Sequence, residues 1–142
     1  MLLEFKTKNY KSFVEEASFS MVAAPKQKGL DYSLMKTKIK GKEIKGLSSS
    51  VIYGPNAAGK TNIIGAMDVL RAIVLRGNIR NSEEKSSPNP AAAALELIPN
   101  NNEMESKPVC FEIEFYEEDG EDHKFKIHYE LEVDLGTFLE EE

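Results

Sequence analysis

The stretch that decides the fold is Gly54-Pro55-Asn56-Ala57-Ala58-Gly59-Lys60-Thr61. It matches the Walker A pattern, G-x-x-x-x-G-K-[ST], at every position, and this pattern is typical of a loop that holds nucleotide phosphates. Such a loop needs a strand before it and a helix after it, because its backbone N–H groups and the positive end of the helix face the phosphates. We refer to residues 54–61 as the motif loop.

The flanking residues predict both elements. Residues 48–53, which end in Val51-Ile52-Tyr53, favour a short interior strand that stops at Gly54. After Gly59 apolar residues recur at three- and four-residue steps, and Gly77 stands where a helix-ending glycine belongs. The apolar positions are Ile63, Met67, Leu70 and Val74, widened by Ile64 and Ile73. We therefore expect a helix from about residue 60 to residue 76.

Each position of the motif loop has a physical role. Gly54 and Gly59 lack Cβ, so phosphate oxygens can approach the backbone closely. Lys60 places a positive charge on the β- and γ-phosphates, and the Thr61 hydroxyl is a ligand for Mg²⁺. Pro55, Asn56, Ala57 and Ala58 complete the loop, the last three mainly through backbone donors. The alternative is a glycine-rich turn without a ligand, but the full match favours binding of ATP with Mg²⁺.

The remaining elements follow from alternation of apolar and polar residues. Residues 3–5 and 17–21 predict two strands joined near residues 9–12. Residues 24–47 indicate a loop with one short extended piece around 34–39. Residues 78–108 indicate a long connection, with room for a helical turn at 91–97.

The last third of the chain predicts a β-hairpin. Apolar residues alternate with polar ones on both sides of a turn within residues 117–122, which contains Asp119-Gly120. Facing strands would place Glu112 and Glu114 near Lys124 and Lys126 on the outer face.

Composition excludes several classes of protein. The chain has 142 residues and a mass of 15.9 kDa, and it contains one cysteine and two histidines. A disulfide scaffold and a structural zinc module are therefore excluded. No apolar run is long enough to cross a bilayer and no signal peptide is visible, so we expect no membrane partner and a cytoplasmic location.

Charge is distributed unevenly. Residues 1–80 carry 14 Lys and Arg against 6 Asp and Glu, whereas residues 81–142 carry 4 against 18. No aromatic residue is interleaved with the lysines of residues 36–45, so solvated charge explains this run better than nucleic-acid binding does.

Two segments together resemble a known family. Residues 2–13, with Asn9-Tyr10-Lys11-Ser12-Phe13, are followed about 40 residues later by Val51-Ile52-Tyr53, the motif loop and Asn62-Ile63-Ile64. This arrangement resembles the amino-terminal lobe of ABC-type ATPases related to RecF, the structural-maintenance-of-chromosomes proteins and the overcoming-lysogenization-defect nucleases. It is most similar to the bacterial "AAA family ATPase" proteins of that group. The resemblance implies that Lys11, Ser12 and Asn62 lie near the bound nucleotide, although a surface turn also explains Lys11 and Ser12.

The sequence departs from that family in two motifs. A complete ABC-type ATPase has a Walker B strand ending in Asp-Glu, and a signature motif that closes over ATP from a second subunit. Neither is present; Val133-Asp134 lacks both the apolar run and the second acid. We therefore interpret the chain as an amino-terminal fragment, and we expect no turnover from these 142 residues alone.

The resulting fold prediction is an incomplete α/β domain, the amino-terminal lobe of a P-loop NTPase of the ABC type. Its mixed sheet would contain the strand before the motif loop, one principal helix and an antiparallel hairpin. Residues 1–77 would hold the strands, motif loop and helix, residues 78–108 a flexible loop, residues 109–135 the hairpin, and residues 136–142 an acidic tail. One helix covers only part of such a sheet, so we expect an exposed apolar surface.

The motifs are compatible with three functions. The leading one is ATP binding within an ABC-type ATPase that acts in DNA or RNA maintenance or in defence against phage. Its partners would be a carboxy-terminal ATPase lobe or a second ATPase subunit, a second copy of the chain, and nucleic acid through the complete protein. The alternative is a non-hydrolysing nucleotide-binding or assembly module that pairs with a complementing chain. A small-molecule kinase would need acceptor and lid residues, and solvated positions explain Arg71, Arg76 and Arg80 more simply.

Other reactive side chains are assigned structural roles. His123 and His128 lie on opposite faces of a strand by parity, so they cannot share a metal ion. Cys110 has no nearby base in sequence, and Asp68 faces away from the apolar stripe of the helix. No catalytic residue is therefore expected in these 142 residues.

Overall fold

The computed structural model describes residues 1–25, 28–79, 95–100, 107–121 and 123–134. The acidic tail and the first part of the helical turn expected at 91–97 lie outside the described residues; residues 95–97 are not helical. The strands are β1 Leu2–Lys8, β2 Ala17–Ser20, β3 Leu34–Ile39, β4 Lys42–Leu47, β5 Val109–Glu118 and β6 Lys124–Val133, and the helix is α1 Lys60–Arg76.

Four strands form an antiparallel sheet in the order β2-β1-β5-β6. The register places Phe5 opposite Ile113 and Thr7 opposite Phe111. Because side chains alternate between the faces of a strand, this register puts the apolar residues of all four strands on one face. The β5–β6 hairpin and the β1–β2 pair form as alternation predicts.

Helix α1 covers part of the apolar face of this sheet, and Phe125 and Tyr129 of β6 stay 42% and 39% exposed on that face, as the expectation of an exposed apolar surface predicts. Its buried residues are Ile63, Ala66, Val69, Leu70 and Ile73. They pack with residues of the sheet, of the turn after β1 and of the segment 95–100, which are Phe5, Tyr10, Leu95, Val109, Phe111 and Val133. The helix has the limits that the sequence predicts, and within the described residues no helix is long and apolar enough to cross a membrane.

Strands β3 and β4 form a second sheet. β3 confirms the extended piece expected around residues 34–39, whereas β4 corrects the expectation of a loop up to residue 47. Ile39 pairs with Lys42, so the turn between the strands contains only Lys40 and Gly41. Both have positive φ, 47° and 78°, as the central residues of a type I′ hairpin turn do. A bridge between Val22 and Gly46 joins this hairpin to the chain leaving β2.

The expected strand at residues 48–53 is not formed, and this prediction was wrong. These residues join no ladder, and Val51 and Tyr53 are 82% and 90% exposed. An interior strand needs a hydrogen-bonded neighbour on each side, and none of the described strands pairs there. The two described sheets are consequently antiparallel, not mixed.

The outer face of the hairpin is charged, as expected, but some of its ion pairs join other residues than those predicted. Lys126 lies 2.9 Å from Glu114, and Lys124 lies 3.8 Å from Glu118. Glu112 pairs with Lys6 of β1 at 3.1 Å instead of with the lysines of β6. A neighbouring strand that sequence spacing did not identify therefore supplies this counter-charge.

Candidate functional site

The motif loop connects the exposed residues 48–53 to the first turn of α1. The Ala58 N–H donates to the Pro55 carbonyl oxygen at 3.3 Å. Ala57 has φ 65° while Asn56 has no positive φ, so residues 55–58 form a turn of type II character. Gly59 follows with φ 81° and precedes the first residue of the helix. The loop thus reverses the chain and presents its backbone to solvent.

Lys60 folds back over the motif loop. Its Nζ donates to the carbonyl oxygens of Gly54 and Pro55, at 2.8 and 2.6 Å. An ammonium group at this position is held by uncharged acceptors. An anionic oxygen carries a full negative charge that a carbonyl oxygen lacks, so Coulomb attraction makes an anion a stronger partner for this ammonium group than either carbonyl.

The beginning of α1 adds to the positive character of this region. Lys60 and Thr61 are its first two residues, so their backbone N–H groups have no acceptor within the helix. The N–H groups of Asn62 and Ile63 both donate to the Gly59 carbonyl. Helix N-termini attract anions through these unpaired N–H groups and the helix dipole. The Thr61 hydroxyl is carried on the same exposed first turn.

Ser12 lies beside the motif loop. The Asn62 side-chain amide donates to Ser12 Oγ at 2.7 Å, so the turn between β1 and β2 is tied to the start of α1. A Cβ atom added to Gly59 would lie 2.9 Å from Phe13 Cε1 and 3.2 Å from Ser12 Oγ. Gly59 is therefore required both for its positive φ and for this close approach.

Lys11 is next to Ser12 but points elsewhere. Its Nζ lies 2.5 Å from Glu96 Oε2 and 5.6 Å from the centre of the Tyr10 ring. The hydrogen bond with Glu96 raises the pKa of Lys11, and the same bond lowers the pKa of Glu96. Glu96 is 85 residues away in sequence, so no local pattern identified it as a partner.

A cavity adjoins the motif loop. It has a volume of about 210 Å³ and is lined by Phe13, Phe19 and Tyr53 beside Gly59 and Lys60. The cavity therefore lies against Gly59 and Lys60 of the motif loop. Ser12 is tied to the start of α1 through Asn62, whereas Lys11 is paired with Glu96.

Three side chains on the outer face of the sheet could surround a cation. Ligand atoms of Glu112, His128 and Glu130 lie within 4.8 Å of one another. Lys6 already contacts Glu112, and His128 lies 3.1 Å from Glu130 and 3.5 Å from Glu112. Ordinary cross-strand pairing accounts for these contacts. His123 is paired with Asp119 at 3.0 Å. It precedes β6, which begins at Lys124, so the parity of two positions on one strand does not apply to it.

Cys110 and Asp68 offer no activated group. Burial, followed by the Glu132 carboxylate, raises the pKa of the Cys110 thiol, which opposes formation of a nucleophilic thiolate. Asp68 lies on an exposed position of α1.

Comparison with known proteins identifies one family. The family model described as "AAA domain, putative AbiEii toxin, Type IV TA system" matches residues 49–141, which is more than half of the chain. The matched region includes the motif loop, α1 and the β5–β6 hairpin, and the match supports nucleotide binding in general. No curated protein and no solved structure matches the chain.

Proposed function

We propose that this chain, which belongs to the AAA domain family described above, binds MgATP through its Walker A loop as the amino-terminal part of an ABC-type ATPase. One observation carries the proposal: a complete G-x-x-x-x-G-K-[ST] loop stands at the N-terminus of α1 with Lys60 folded over it. Lys60 is also the first residue of α1, so its charge is added to that of the unpaired N–H groups at the beginning of the helix.

The residues of the site would have different roles in nucleotide binding. Backbone N–H groups of the motif loop and of the first helical turn would surround the phosphate oxygens. Lys60 would exchange its bonds with the Gly54 and Pro55 carbonyls for bonds with the β- and γ-phosphates, which are stronger because both partners are charged. Asn62 and Ser12 would keep the turn of residues 9–13 in place beside the loop.

Thr61 is the proposed ligand for Mg²⁺. Its hydroxyl lies on the first turn of α1, directly after Lys60, where the motif places the metal ligand. When bound, Mg²⁺ neutralises charge on the β- and γ-phosphates. The chain's own contribution is to orient the phosphates and the metal on one side of the helix terminus.

Hydrolysis would require residues that this sequence lacks, namely a Walker B strand and a signature motif. We therefore propose ATP binding without turnover by the chain alone. The biological role we propose for the complete ATPase is defence against phage or maintenance of DNA or RNA. The family description, which names a putative toxin of a type IV toxin–antitoxin system, favours defence.

The alternative is a non-hydrolysing assembly module that pairs with a complementing chain. The exposed residues 51–53 favour it, because an apolar extended segment next to a binding loop can pair with a strand from another chain. Titration with MgATP separates the proposed ATP binding from a module of this kind that holds no nucleotide.

Calorimetric titration of MgATP into the chain, into Lys60→Ala and into Lys38→Ala tests the proposal. Lys38→Ala removes the same charge from β3, away from the motif loop. We expect binding by the parent chain and by Lys38→Ala, and a loss of affinity of at least about 10-fold in Lys60→Ala, which corresponds to about 1.4 kcal/mol.

Two results would contradict ATP binding. Equal affinity of the parent chain and Lys60→Ala would show that the motif loop is not the site. Absence of heat from all three proteins, with circular dichroism showing that each is folded, would leave the assembly module as the better description.

A further inference from the structure

We propose that Glu96 competes with the nucleotide phosphates for Lys11, and so acts as a built-in counter-ion that weakens nucleotide binding. This inference rests on the proposed ATP-binding function and adds a residue that regulates the same site. It follows from the position of the Lys11 backbone, from the direction of its side chain, and from the way in which Glu96 is held.

The backbone of Lys11 is fixed beside the motif loop. The next residue, Ser12, accepts a hydrogen bond from Asn62, and Phe13 packs against Gly59. Lys11 itself has φ 48°, within the left-handed region. A lysine side chain has four rotatable bonds and an unusually long reach, so from this backbone position it can turn toward the loop or away from it.

The side chain of Lys11 is turned away from the loop and lies along α1. Its Nζ would be 4.0 Å from a Cβ atom added to Gly65, which lies in the second turn of the helix. There it meets Glu96 at 2.5 Å. Lys11 and Lys60 are therefore both held by acceptors of the chain itself, but only Lys11 is held by a full negative charge.

Glu96 reaches Lys11 because its segment is attached to the same turn. The Lys11 N–H donates to the Ile98 carbonyl at 2.8 Å, and the Asn100 side-chain amide donates to the Lys11 carbonyl at 2.6 Å. Leu95, next to Glu96, is 8% exposed and belongs to the core. These contacts hold residues 95–100 against residues 9–13, so the carboxylate stays near Lys11 whenever both segments are folded.

The expected size of the effect follows from the exposure of the pair. The Lys11 side chain is 22% exposed and that of Glu96 is 67% exposed, so the pair is a surface ion pair. Such pairs contribute up to about 1 kcal/mol, equivalent to about a 5-fold change in the fraction of Lys11 that is free. Apparent affinity falls in proportion to that fraction. Removing the Glu96 charge should therefore tighten nucleotide binding by about 2- to 5-fold.

Calorimetric titration of MgATP into Glu96→Gln, Lys11→Ala and the double variant tests this competition in the full chain. Glu96→Gln should bind about 2- to 5-fold more tightly than the parent, whereas Lys11→Ala should bind more weakly. In the Lys11→Ala background, Glu96→Gln should leave the affinity for MgATP unchanged, because the ammonium group for which Glu96 and the phosphates compete is absent. Glu118→Gln is the matched control: it removes the same charge at the far end of β5 and should leave the affinity unchanged.

Three other results would overturn either the competition between Glu96 and the phosphates or ATP binding itself. If the parent chain binds, Lys60→Ala does not, and Glu96→Gln equals the parent, the motif loop is functional and the competition is absent. A gain in affinity that persists in the double variant, or that Glu118→Gln reproduces, would show a general charge effect and would also overturn the inference. Loss of binding in every protein, including Glu96→Gln, would contradict the proposed function itself.

Discussion

Ala57 shows how much of the motif loop depends on single backbone angles. Its φ of 65° lies in the left-handed region, where the Cβ atom crowds the following carbonyl oxygen. The type II turn of residues 55–58 needs this angle at its third position, which glycine occupies most easily. The loop therefore contains local strain that the rest of the fold must offset.

Replacing Ala57 with glycine should stabilise the chain. The left-handed conformation costs an alanine about 1–2 kcal/mol, which glycine would not lose. The greater flexibility of glycine in the unfolded chain offsets about 0.5–1 kcal/mol of this stabilisation. We expect Ala57→Gly to raise the free energy of unfolding by about 0.5–1 kcal/mol, measured by urea denaturation.

Ala58→Gly is the matched control for this prediction. Ala58 has no positive φ, so the substitution adds flexibility without relieving strain and should lower stability by about 0.4–1 kcal/mol. Equal effects of the two substitutions would show that the loop does not hold the left-handed angle at Ala57.

At the scale of elements, the end of α1 depends on Gly77. This residue has φ 69°, and its N–H donates to the Ile73 carbonyl at 2.8 Å, closing the last turn. A Cβ atom there would meet nothing within 4 Å, so only the backbone angle opposes a side chain. We expect Gly77→Ala to lower the free energy of unfolding by about 1 kcal/mol, measured by chemical denaturation.

Gly120→Ala tests whether that loss is specific to the helix end. Gly120 also has open space around it but has no positive φ, so alanine should raise stability by about 0.4–1 kcal/mol. A gain in both variants would mean that α1 does not end in the left-handed conformation.

Elements with strong local signals could be predicted from the sequence. The apolar stripe and the terminal glycine of α1, and the alternation in β5 and β6, are local patterns that determine the element regardless of its partners. β3 coincides with the extended piece predicted around residues 34–39, but in β4 the apolar residues Ile44 and Leu47 are three positions apart, so the sequence shows no period of two there. Residues 48–53 have strand propensity, but pairing depends on a neighbouring strand, which propensity cannot supply.

The candidate site was predictable only in part for the same reason. The motif loop is one continuous segment, so its composition and order identified it. The contact of Asn62 with Ser12 spans 50 residues, and that of Lys11 with Glu96 spans 85. Such contacts depend on how the turn of residues 9–13 and residues 95–100 pack against α1, which spacing in the sequence does not encode.

At the scale of the whole molecule, the main sheet positions the site. Strand β1 lies in the interior of the sheet between β2 and β5, so the turn that leaves it is anchored on both sides. Helix α1 packs on the same sheet and brings the motif loop to that turn. The two halves of the site are thus connected through the core, and a change in helix packing would alter the distance between Ser12 and Gly59.

Ion pairs distributed over the molecule predict how its stability depends on pH. Hydrogen bonds lower the pKa of four carboxyl groups. The donor is Lys36 for Asp31, Lys11 for Glu96, Lys126 for Glu114, and backbone N–H groups for Asp119. A carboxyl group whose pKa is lower in the folded chain stabilises the fold at pH values above its ordinary pKa. This stabilisation is lost as the pH falls through the pKa of the group in the folded chain. The partner lysines have raised pKa values, so their contribution is lost only as the pH rises above about 10.5.

We therefore expect nearly constant stability between about pH 5 and pH 8, a decrease below about 4.5, the ordinary pKa of a glutamate, and a decrease above about 9.0, the ordinary pKa of a thiol, because the pKa of Cys110 is raised in the folded chain. Urea denaturation at a series of pH values measures this profile.

Glu114→Gln removes one of the contributing carboxyl groups, so its stability should decrease less than that of the parent chain between roughly pH 5 and pH 3. Glu117→Gln changes a neighbouring residue of the same strand and is the control. An identical decrease in the parent chain and in Glu114→Gln would show that the Lys126 contact does not persist in solution, and the acid sensitivity would then arise from the remaining carboxyl groups.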